Sequence, residues 1–78
     1  MKELEFWDFY HTTVDKVVTL LDTNDSRVRP WGRKDFIMYI LGACDMYKFL
    51  SGEDFDANTV MSNIVIDSGV LDELPPEK

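Results

Sequence analysis

Cysteine occurs once in this chain of 78 residues, at Cys44, and histidine once, at His11. The lone cysteine excludes a disulfide within the chain. The two together exclude an ordinary structural zinc site, which takes about four ligands drawn largely from these residue types. A chain this short buries only about 60% of the surface its unfolded form exposes. With disulfides and zinc set aside, an oligomer or a stable partner remains as an extra source of stability. Long apolar runs are missing as well. The longest, Phe36 to Leu41, falls far short of the roughly 20 residues that span a bilayer. The opening Met1-Lys2-Glu3-Leu4-Glu5 is acidic and carries no apolar run of secretory-signal length. No membrane association is expected. A single thiol in an apolar segment suits a reducing compartment, so a cytoplasmic location is expected.

Basic residues are outnumbered, eight against fifteen acidic ones, for a formal net charge of −7. Such a chain repels nucleic acid and anionic membrane at long range and attracts basic partners. Apolar residues make up 45% of the chain and aromatic residues 13%, a composition of folded cores rather than of disordered segments. Residues 1–78 read as one domain with no internal repeat or low-complexity tract.

Hydrophobic spacing predicts helices. Leu4, Trp7, Tyr10, Val14, Val17, Val18 and Leu21 recur at three- and four-residue steps, which places them on one face of a helix from Leu4 to Leu21. The cluster Asp22-Thr23-Asn24-Asp25-Ser26 favours a turn. The connection then runs through Arg27-Val28-Arg29-Pro30-Trp31-Gly32. A second helix is expected from Arg33 to Leu50, apolar nearly all round apart from Lys34, Asp45 and Lys48. That pattern belongs to a helix buried on several sides. Gly52 suits the left-handed position just past its end. Asp56 is a candidate cap for a third helix from Ala57 to Asp67, with Gly69 ending it. The β-branched run Ile64-Val65-Ile66 also fits a strand, but a lone strand has no pairing partner, and helix is preferred. Residues 70–74 form one more turn before Pro75-Pro76, and Glu77-Lys78 are expected to fray. The expected fold is all-α: a compact three-helix domain, the second helix central, with a short fourth turn.

Catalytic constellations are thin. Asp8 and Asp15 lie three residues before and four after His11, within reach on a helix. No nucleophile or third ligand joins them, so an exposed histidine among acids is the better reading. Cys44 sits mid-helix among apolar residues and reads as a small buried hydrophobe. Residues 22–26 offer oxygens in the rhythm of a calcium loop. However, Arg27 stands where that loop requires glycine, and Arg33 where it requires glutamate. Neither Gly-rich phosphate loops nor nucleophile elbows occur. No cofactor, metal or enzymatic activity is expected.

Two surfaces point to binding. Half of the basic residues, Arg27, Arg29, Arg33 and Lys34, fall in residues 27–34 together with Trp31. Arginine beside tryptophan is a common hot-spot composition, and it also suits phosphate contact with base stacking. The plainer alternative folds this loop onto the acidic helices, with Trp31 in the core. On the first helix, Phe6, Phe9, Thr13 and Leu20 lie on a flank beside the core stripe, an excess of apolar area that marks interfaces. Homodimerisation through the first or second helix is therefore expected. The leading expectation is a non-enzymatic protein–protein interaction domain: a small acidic adaptor, regulator or inhibitor using apolar helix surface, with acidic faces steering toward a basic protein partner. Its partner-binding residues would be Phe6, Phe9, Leu20, Arg27, Arg29, Trp31 and Arg33. The alternative is a nucleic-acid-binding domain using the basic segment 27–34, which the net charge disfavours.

Overall fold

The computed structural model describes residues 3–75. Four helices follow one another: α1 (Glu3–Asp22), α2 (Arg33–Ser51), α3 (Ala57–Ser68) and α4 (Val70–Glu73), with a 3-10 turn at Asn24–Ser26 between the first two. The chain is all-α, as its periodicity requires, and residues 60–66 are helical throughout. Among the described residues, α4 is the last regular element. The expectations for Pro76, Glu77 and Lys78 lie outside the described residues.

Short-range chemistry sets the helix ends. Gly32 lends its N–H to the Asp35 carboxylate at 3.0 Å, satisfying one of the free donors that open α2. Gly52 closes α2 at φ +74°, and Gly69 closes α3 at φ +85°, a region that L side chains rarely enter. The Asp56 carboxylate accepts from the Asn58 N–H at 3.0 Å and the Thr59 hydroxyl at 2.9 Å. It caps α3 as its position implies. Gly69 also reverses the chain, so that Val70 returns to the interior with no exposed surface.

The core is small. Tyr10 and Val17 from α1, Phe36, Ile40 and Cys44 from α2, and Val60, Ile64, Val65 and Val70 from the C-terminal half form one buried cluster. Helix α2 touches all three other helices. The face of α1 turned inward differs from the simple wheel. Trp7 and Val18, expected inside, are 46% and 39% exposed. Phe6, Phe9 and Leu20, expected on an outer flank, pack against the core instead. The Phe9 ring stacks on Tyr47 at 4.2 Å between centroids. Thr13 is buried as well, its hydroxyl donating to the Phe9 carbonyl at 2.8 Å. The first-helix flank is therefore spent on the fold itself. Conversely, α2 is open along one side, where Met38, Met46, Phe49 and Leu50 face solvent.

Asn24 organises the long connection. It is buried, its amide donates to the Trp31 carbonyl at 2.9 Å, and its oxygen accepts from the Trp31 N–H at 2.8 Å. One side chain thus replaces a pair of backbone partners and ties Trp31 to the turn that follows α1. Asn24→Ala removes both bonds and leaves the Trp31 backbone polar groups short of partners, a loss of about 2 kcal/mol. Urea unfolding followed by circular dichroism should show that loss with native helix content unchanged. A change below about 0.5 kcal/mol would show that the loop does not depend on Asn24.

Candidate protein-interaction surface

The outward face of α3 is nearly free of charge. Val60, Ile64, Val65 and Ser68 turn inward, leaving Thr59, Ser62, Asn63 and Ile66 in solvent. Ile66 is 62% exposed and stands between two grooves. On one side, α1 and α3 enclose about 480 Å³ walled by Trp7, Tyr10, His11, Asn63 and Asp67. On the other, α2, α3 and α4 enclose about 310 Å³ walled by Ile37, Met61, Val65 and Leu71. Trp7 also walls a further hollow with Glu5, Asp8 and His11, so its ring forms a partition between two depressions. A ridge of exposed isoleucine between grooves bordered by exposed Trp7 and Leu71 makes a continuous apolar relief. Carboxylates border it: Glu5, Asp8 and Asp67 near Trp7, and Asp72 and Glu73 beside Leu71, all exposed.

Tyr10 fixes the floor of the first groove. Its hydroxyl donates to Asp67 Oδ2 at 2.5 Å, joining α1 to the end of α3. Burial, and then the bond to and charge of Asp67, push the Tyr10 hydroxyl up to about 12. His11 lies across the Trp7 and Tyr10 rings, at 6.2 and 5.7 Å between centroids, in the groove wall. Cys44 is fully buried. Burial, and next the Asp45 charge, push its thiol up to about 11. The nucleophilic thiolate is thereby suppressed, and Cys44 is a packing residue.

The arginine-rich segment turns largely inward. The Arg27 guanidinium lies 4.7 Å over the Trp31 ring, and Trp31 in turn meets Phe36 edge-on at 5.1 Å. Trp31 is thus an outer layer of the core. Arg33 reaches the far end of the chain, donating from Nε to the Leu74 carbonyl at 2.8 Å and from Nη2 to the Leu71 carbonyl at 2.6 Å. These are carbonyls that the end of α4 leaves free. Arg29 and Lys34 are exposed. In the calcium-like stretch, Asn24 is committed to Trp31, and the Thr23 hydroxyl donates to helix carbonyls. Among the described residues no group of three metal-capable side chains converges.

Of the residues singled out from sequence, the structure gathers Phe6 and Phe9 with Tyr47 and Phe55 in one aromatic cluster. It places Leu20 against the core, and Arg27, Trp31 and Arg33 in intramolecular contacts. Only Arg29 stands clear. Ile66, Trp7 and Asp67 were missed as surface residues. The signal for Ile66 was present: successive helical residues point about 100° apart, so Ile64-Val65-Ile66 cannot all face one core. No protein-family model, curated protein or solved structure matches this chain.

The Tyr10–Asp67 link has a pH signature. A folded-state value raised above the ordinary 10.0 gives stability that is whole below pH 10 and is lost as pH rises through about 12. Tyr10→Phe should cost about 1 kcal/mol near neutrality, and the gap to wild type should close across that alkaline window. Urea midpoints at a series of pH values check it. A gap independent of pH would sever the cost from the tyrosine proton.

Proposed function

We propose that this chain is a non-enzymatic protein-interaction domain that holds a basic segment of a protein partner on the outward face of α3. The observation that carries the reading is the exposed Ile66 ridge flanked by two grooves and bordered by carboxylates. A partner segment with an apolar side chain on either side of Ile66 would fill both grooves. Lysine or arginine residues flanking it would meet Glu5, Asp8 and Asp67 on one side and Asp72 and Glu73 on the other. The exposed indole of Trp7 adds a face on which a cation can rest. Apolar anchors give affinity, and the charged rim sets encounter rate and choice of partner. Roles of the adaptor, regulator or inhibitor kind follow from such docking, and a cytoplasmic setting belongs to the same reading.

The test is capture by the tagged full chain from nuclease-treated extract, with Ile66→Asp and the pair Arg29→Glu/Lys34→Glu alongside. Wild type should retain a basic protein in a salt-sensitive manner. Ile66→Asp should weaken binding by about 2 kcal/mol, roughly thirtyfold, and keep its fold, because Ile66 is mostly in solvent. Undiminished capture by Ile66→Asp would move the site elsewhere. Capture that needs intact nucleic acid and fails in the Arg29/Lys34 variant would transfer the function to the basic segment.

A further inference from the structure

The open side of α2 raises a separate question. Met38, Gly42 and Met46 follow one another at four-residue steps and continue into Phe49 and Leu50. The four apolar side chains are 64%, 58%, 82% and 73% exposed for Met38, Met46, Phe49 and Leu50. Such a stripe on a long helix is what helix–helix association uses. Gly42 sits at its middle. A Cβ added there would meet nothing within 4 Å, and the residue is inside a regular helix, with no positive φ to demand glycine. Glycine weakens a helix interior relative to alanine, and nothing in this chain's own packing or backbone explains its presence. Close approach of another helix would explain it.

Charge selects the approaching helix. In a chain of net charge −7, α2 carries three basic and two acidic side chains and is the long helix that is not net acidic. Its flanks differ in sign: exposed Arg29 and Lys34 stand at its start beside Asp35, and Glu53, Asp54 and Asp56 follow its end after Lys48. We propose that this face binds a second copy of the same chain, with the two α2 helices antiparallel and crossing at Gly42. About a two-fold axis there, Met38 of each copy packs against Met46 of the other. Each Lys34 end then lies beside the Glu53–Asp54 end of the other copy, and the two helix dipoles oppose. A parallel pair would set like ends together. The contact is isologous, so it closes at a dimer, with Met38, Gly42 and Met46 at its centre and Phe49 and Leu50 at its ends. It shares no residue with the Ile66 surface and stands whether or not that surface binds a partner.

Sedimentation equilibrium of the full chain should show a mass rising from 9.1 kDa toward twice that value with increasing concentration. A monomer at every concentration up to about 1 mM, the weak limit of specific association, would overturn the proposal. Met46→Glu should raise the dissociation constant at least about tenfold, because it buries an unpaired charge. Gly42→Ala gives opposite signs in two readouts. It should raise the thermal midpoint of dilute monomer, as helix propensity demands, and still weaken the dimer. A dimer unaffected by both substitutions lies on another face, and the proposal fails. Lys34→Glu should weaken the dimer about threefold or more, and adding Glu53→Lys and Asp54→Lys should restore it. Absence of that rescue would overturn the antiparallel arrangement.

Discussion

Phe36, Ile40 and Cys44 on α2 close against Val60, Ile64 and Val65 on α3, and the rest of the domain is placed by that contact. Burying one large apolar side chain contributes about 1.5–3 kcal/mol, and a chain of this size has few such side chains to spend. Helix α1 lies across the pair and adds Tyr10 and Val17 to the same interior. The left-handed turn at Gly69 brings Val70 back under it. Loosening the α2–α3 contact would leave α1 with one groove wall and α4 with no floor.

Three polar ties then hold what packing alone leaves free. Asn24 binds the backbone of Trp31 and seats the long connection. Arg33 binds the carbonyls of Leu71 and Leu74 and fixes the last turn to the start of α2. Tyr10 and Asp67 lock α1 to the end of α3. Each joins residues on different elements. The basic segment is explained in the same way. Two of its three arginines serve the fold, Arg27 covering Trp31 and Arg33 capping α4.

Much of the architecture was legible in the residues because its causes are local. Gly52, Asp56 and Gly69 act on their own neighbours, and the helix ends follow from them within a residue or so. The face of α1 was not legible. Phe6-Trp7, Phe9-Tyr10, Val17-Val18 and Leu20-Leu21 are apolar doublets, and each offers two helical faces of almost equal hydrophobicity. Tertiary contact decides between them: Phe9 gains a stack on Tyr47, and Tyr10 gains Asp67, residues far away in sequence. The same ambiguity hid the candidate surface. Trp7 looks like core until Phe6 is seen to occupy that place, whereas Ile66 falls off the face that Val60, Ile64 and Val65 share. For Arg33, the deciding partners were carbonyl groups, which a sequence does not display.

Exposed apolar area in an acidic chain has two different electrostatic settings here. Asp67 lines the groove beside Ile66, Glu5 and Asp8 line the hollow beyond Trp7, and Asp72 and Glu73 follow Leu71, whose carbonyl holds the Arg33 guanidinium. Two copies meeting there would bring like charges together. In the reading proposed above, that surface suits a cationic partner better than a second copy. Along α2 the charges nearly cancel, and the segments that flank it differ in sign, Arg27, Arg29, Arg33 and Lys34 at its start and Glu53, Asp54 and Asp56 after its end. The net charge of −7 therefore does not act on the molecule uniformly. In the proposals above it disfavours self-contact on one face and permits it on the other, where the mid-helix glycine leaves room. A small domain can in this way keep two apolar surfaces exposed and still direct each toward a different kind of occupant.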